Sequence, residues 1–75
     1  MSEKKYNDQL KALGLRIQQI RISKKMSQLD LELKCGLPQA NLSRIENGSR
    51  NVEFITLAKI ADGLGVDIVE FFQEE

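Results

Sequence analysis

Apolar residues recur along the first part of the chain in steps of three and four, at Tyr6, Leu10, Leu13, Ile17 and Ile20. That spacing returns to one side of a 3.6-residue helix. It predicts a first helix capped by Asn7 or Asp8 and running to about Ser23. Residues 1–6 are then a flexible N-terminal tail, and residues 7–75 form one domain. A second helix is predicted from Ser27, whose hydroxyl can accept an orphan amide of the first turn, through Cys35. Residues 29–34 alternate apolar and polar, as a strand would. The Glu and Lys within them, the closing Gly36 and the lack of a pairing strand decide for helix.

Gly36 suits the left-handed position that ends a helix. Pro38 suits the first turn of the next one, where its missing N–H would have had no intrahelical partner. The third helix spans about Pro38 to Glu46 or Asn47 and stops at Gly48. Pro38, Leu42 and Ile45 share one face, Ala40, Ser43 and Arg44 lie opposite, and Gln39 and Asn41 flank them. A fourth helix, capped by Asn51 in preference to Glu53, turns Phe54, Leu57, Ala61 and Leu64 inward. Asp67 with Glu70 three residues later has the form of a capping box opening a short fifth helix, Ile68–Phe72. Phe71 and Phe72 are expected to close the core. The fold class read from this pattern is all-α.

Charge sharpens the picture. The net charge of the 75 residues is zero, with 11 basic and 11 acidic side chains. Residues 1–50 nevertheless carry ten Lys/Arg against five Asp/Glu, and residues 51–75 only Lys59 against six acids. The asymmetry, +5 against −5, suggests a binding end and an end turned away from it. With no histidine, no cysteine pair and no glycine-rich phosphate loop, no constellation for catalysis, a metal or a cofactor is present. No apolar run approaches the ~18 residues of a membrane span, and the N-terminus lacks the apolar segment of a signal peptide. The lone Cys35, four residues after Leu31 on one face, is read as a small core residue in a reducing cytoplasm.

Helix, glycine-containing turn and helix at this spacing form a helix-turn-helix, helices 2 and 3 here. Gly14-Leu15-Arg16-Ile17, Met26-Ser27-Gln28, Leu31, Gly36-Leu37, Leu42 through Gly48 and Leu57 through Ala61, in that order, resemble the phage-repressor and Cro family over residues 13–72. Gly48 through Val52 also resembles small stand-alone members such as the controller proteins of restriction–modification systems. The resemblance implies a five-helix lambda-repressor-like domain. It further implies a dimer that binds a pseudo-palindromic double-stranded DNA operator as a transcriptional regulator, more often a repressor than an activator. The second helix of the unit enters the major groove and the first crosses the backbone.

Carried over by position, the resemblance places Gln39, Ala40, Asn41 and Arg44 against base edges. Gln28, Ser43, Asn47, Ser49 and Arg50 would hold phosphates, and Arg21 late in the first helix would pair with Glu46. Where the family usually has a small residue, this chain has Glu32, which must bend outward or find a donor. Ile55 and Val69, apolar and off the predicted inward faces, are candidates for the homodimer seam. Leu29 and Leu33 are expected to lie under the N-terminal segment. A protein-binding module on the same fold, an antitoxin or an adaptor, is the competing reading, favoured by the neutral net charge and the off-face leucines.

Overall fold

In the computed structural model, which describes residues 3–73, four α-helices and a terminal 3-10 helix follow in chain order. These are α1 (Glu3–Ser23), α2 (Gln28–Cys35), α3 (Gln39–Glu46), α4 (Phe54–Leu64) and the 3-10 helix Ile68–Phe72. The fifth helix is thus not an α-helix. It has five residues, and its Glu70 N–H bonds back only to Asp67, the i+3 pattern of the tighter helix. The Asp67 carboxylate accepts from the Val69 N–H at 3.0 Å, in place of a reciprocal box with Glu70.

α1 begins at Glu3, four residues before the expected Asn7 cap, so residues 3–6 are helix and no tail. The early turns carry an i,i+4 pair, Lys4 Nζ to Asp8 at 3.2 Å, and Tyr6 leads the apolar stripe at half exposure. Met1 and Ser2 of the expected tail, and Glu74 and Glu75 of the domain, lie outside the described residues.

The α1–α2 turn closes through bonds from Met26 N–H to Arg21 C=O and from Lys25 N–H to Ile22 C=O, with Lys25 at φ 59°. This two-bond helix ending needs a left-handed residue, and here a lysine adopts it. Ser27 then caps α2 in a full box. Its hydroxyl accepts from Asp30 N–H and the Asp30 carboxylate accepts from Ser27 N–H, both at 2.9 Å. The bond from the Ser27 backbone N–H, with the nearby Ser27 hydroxyl adding to it, holds the Asp30 pKa below the ordinary carboxylate range. Gly36 ends α2 at φ 77°. Pro38 is the residue just before α3, with extended ψ, and not its first turn. Glu53, and not Asn51, precedes α4, and it makes no side-chain cap.

The core joins all five elements: Ile17 and Ile20 of α1, Leu31 of α2, Leu42 and Ile45 of α3, Leu57, Ile60, Ala61 and Leu64 of α4, and Phe71. Phe54, expected inside, is 66% exposed, because it is the first residue of α4 and the buried residues of that helix begin only one turn later, at Leu57. Phe72 is likewise outside, at 60% exposure, because only Phe71 of the adjacent pair can face the core. Leu29 and Leu33 are exposed and uncovered, since α1 packs against α3 and the 3-10 helix and leaves that face of α2 bare. Cys35 lies against α4, where a Cβ at Gly63 would stand 3.1 Å from its own Cβ.

Two glycines let α1 and the end of α3 meet backbone to backbone. A Cβ on Gly14 would run into the Ile45 carbonyl oxygen and lie 2.6 Å from that of Glu46. Gly48, at φ 69°, takes a left-handed conformation, and a Cβ there would stand 2.5 Å from Lys11 Cα. The C-terminus of α3 is thereby seated on α1.

Candidate nucleic-acid interface

The outward face of α3 carries Gln39, Ala40 and Arg44, all exposed, with Asn41 and Ser43 half-buried beside them. This follows from the inward placement of Leu42 and Ile45, three residues apart, which turns the intervening positions outward. Arg44 makes no side-chain hydrogen bond among the described residues, so its guanidinium is available to a ligand.

Behind this face lies a buried ion pair. Arg21 Nε donates to Glu46 Oε2 at 2.7 Å and Arg21 Nη2 to Glu46 Oε1 at 2.9 Å, a two-bond fork. Arg21 Nη1 donates to the Met26 carbonyl at 2.7 Å. The Glu46 side chain is 0% exposed and that of Arg21 10%. The hydrogen bond to Glu46 raises the Arg21 pKa against the opposing effect of burial. The structure therefore brings together Arg21 and Glu46, and ties the end of α3 to the end of α1.

α2 reaches the start of α3 with two polar side chains one turn apart. Gln28 Nε2 donates to Glu46 Oε1 at 3.1 Å, and Gln28 Oε1 faces the Gln39 side-chain amide at 3.5 Å. Glu32 Oε1 accepts from the Gln39 backbone N–H at 3.0 Å. The carboxylate that looked misplaced in the sequence has its donor seven residues onward, across the turn.

The residues expected on phosphates flank this face, and several already have internal partners. The Gln28 amide is engaged as described. Ser49 closes the far end of α3, its hydroxyl donating to the Arg44 carbonyl at 3.2 Å. Arg50 Nη1 donates to Asn41 Oδ1 at 3.1 Å, so a residue expected on phosphate and one expected on a base are bonded to each other. Asn47 is exposed at the C-terminus of α3. Arg16, counted among the basic residues along α1, serves the scaffold: its Nε donates to the Glu70 carbonyl at 3.0 Å. Ile55 and Val69 lie elsewhere, on α4 and the 3-10 helix, 70% and 50% exposed. Among the described residues no group of His, Cys, Asp or Glu has the clustering of a metal site, and no helix is long and apolar enough to cross a membrane.

A helix-turn-helix family model matches residues 17–71. The control protein C.BamHI of Bacillus amyloliquefaciens is 42% identical over 62 residues, spanning 77% of this chain and 76% of that protein. The restriction–modification controller protein C.AhdI from Aeromonas hydrophila shares the fold with a TM-score of 0.85 at 31% identity, over 87% of this chain and 98% of that one. The controller protein C.Esp1396I, solved as a tetramer in complex with its natural 35 base-pair operator, is 40% identical with a TM-score of 0.78, over 84% and 83% of the two chains.

Proposed function

The chain belongs to the helix-turn-helix family that includes the restriction–modification controller proteins, and from that membership we propose that it regulates transcription by binding a specific double-stranded DNA operator as a homodimer. The observation that carries the mechanism is the polar, exposed face of α3 held on a buried ion pair. Docked in the major groove, that face presents Gln39, Asn41 and Arg44 to base edges, with Ala40 small enough to allow close approach. Arg44 can give two parallel bonds to guanine, and Gln39 or Asn41 can do the same at adenine. Gln28, Ser43, Asn47, Ser49 and Arg50 surround this face and hold phosphates. On DNA the Arg50 guanidinium keeps donors to spare beyond the one it gives Asn41. The role is one of binding without catalysis, in the cytoplasm.

Selection of bound duplexes from a random pool tests this reading, and variants divide the labour. Arg44→Ala should lose ~1–3 kcal/mol at the selected site and relax the preference for one base. Arg50→Ala should weaken binding on every duplex and lower the salt slope by about one unit, because a phosphate contact carries no sequence information. Equal losses on all duplexes for Arg44→Ala would make that residue another phosphate anchor.

Ile55 and Val69 form the dimer seam in this proposal. Two large apolar side chains at high exposure on neighbouring elements, with the exposed Phe54 next to Ile55 and the exposed Phe72 three residues after Val69, are what a chain with so small a core gains most from covering. Two-fold symmetry would then place two copies of α3 about one DNA turn apart, ~34 Å, for half-sites ~10 base pairs between centres. The double variant Ile55→Glu, Val69→Glu is expected to be a folded monomer in sedimentation with weak operator binding. A wild type that sediments as a monomer both free and on DNA would contradict the seam.

A further inference from the structure

The reading helix starts at a residue that cannot cap it. Pro38 has no side-chain acceptor, and α3 has no cap of its own. The first N–H of the helix, on Gln39, is satisfied from outside by Glu32 of α2 at 3.0 Å. One turn earlier on the same face of α2, Gln28 faces the Gln39 side chain. Gln39 is thus held by its backbone and by its side chain from successive turns of α2, a helix anchored by a complete capping box at its start and by the burial of Leu31.

We propose that Glu32 is a positioning residue for DNA recognition, one that caps the reading helix from α2 and sets how Gln39 meets the bases. The proposal rests on the reading that Gln39 faces base edges. Two physical effects of Glu32 oppose each other. As an acceptor it satisfies an otherwise orphaned amide and complements the positive end of the α3 dipole, which fixes the first turn. As a negative charge beside the DNA-facing end of the helix it repels phosphate, which weakens binding to any sequence. Glutamine keeps the acceptor oxygen and removes the charge, whereas alanine removes both.

The test compares wild type, Glu32→Gln and Glu32→Ala on the duplex that the wild type selects from a random pool and on a shuffled duplex of the same composition. Both variants should bind the shuffled duplex tighter, as the loss of one negative charge near the phosphates requires. The ratio of selected to shuffled affinity should hold in Glu32→Gln and fall about fivefold in Glu32→Ala, the size expected for a lost cap. An unchanged ratio in Glu32→Ala overturns the proposal. Arg44→Ala, measured alongside, separates the two levels. If it collapses the ratio while Glu32→Ala does not, only the role of Glu32 fails; if it leaves the ratio intact, the base-reading assignment fails and the proposal with it. Hydrogen exchange in the unaltered protein gives a reading independent of any variant's folding. The Gln39 amide should be protected relative to that of Ala40, and equal exchange at the two would overturn the cap.

Discussion

Replacing Glu46 with alanine is expected to cost ~3–5 kcal/mol of stability, as a large drop in the urea midpoint at unchanged slope. The Glu46 carboxylate is fully buried and accepts from Arg21 Nε, Arg21 Nη2 and Gln28 Nε2. Its removal leaves the Arg21 guanidinium with only the Met26 carbonyl, in a place water scarcely reaches. A charge stranded there is costly, whereas an exposed pair would be worth ~0–1 kcal/mol. Removing both partners should therefore cost much less than the sum of the single losses, and the double variant Arg21→Ala, Glu46→Ala supplies that comparison. Small, additive effects would mean that the pair is not buried in solution. Because Glu46 ends α3, the same variant should also bind DNA poorly at temperatures where it remains folded.

Gly14→Ala is expected to be destabilising by ~1–3 kcal/mol, although alanine is the better helix former by ~1 kcal/mol. The gain in propensity is outweighed because the new methyl would run into the Ile45 carbonyl oxygen and lie 2.8 Å from the Glu46 carbonyl carbon. Both obstacles are backbone, so no side chain can swing aside; α3 itself must move away from α1. The variant should thus lose DNA affinity in parallel with stability, and thermal melts beside binding titrations would register both. A neutral or stabilising Gly14→Ala would mean that α1 and α3 are further apart than described.

What was legible in the sequence, and what was not, divides along the range of the interactions. The Ser27 cap, the Gly36 ending and the stop at Gly48 depend on bonds within a few residues, and each stands where local chemistry put it. For the start of α4 local chemistry favours Asn51 over Glu53 as the capping residue, yet the helix begins after Glu53 and makes no side-chain cap at all. An early Asn-Asp pair in α1 looked like a boundary, but the residues before it continue the helix. Hydrophobicity alone cannot tell a core side chain from an exposed one: it points Phe54 and Phe72 inward, although both are exposed, and does not single out Ile60, which is fully buried.

The site shows the same division. The outward face of α3 follows from its 3.6-residue period, and the positions assigned to bases and phosphates came by resemblance. The partners of Glu32 and Asn41 depend on how α2 and the loop after α3 return to the reading helix. No spacing rule contains that information. The identity of Gly14 carried a signal, a glycine in the middle of an amphipathic helix, whose meaning became clear only with the carbonyls of α3 beside it.

The central claim is that this chain recognises a particular DNA sequence through α3. Its most direct test is equilibrium binding of the intact protein, at one fixed salt concentration, to the duplex it selects from a random pool and to a shuffled duplex of equal length and composition. The account predicts that the selected duplex binds tighter by a factor on the order of 10³ or more, the margin by which specific DNA-binding proteins exceed their own nonspecific affinity. Equal affinity for the two duplexes would contradict it.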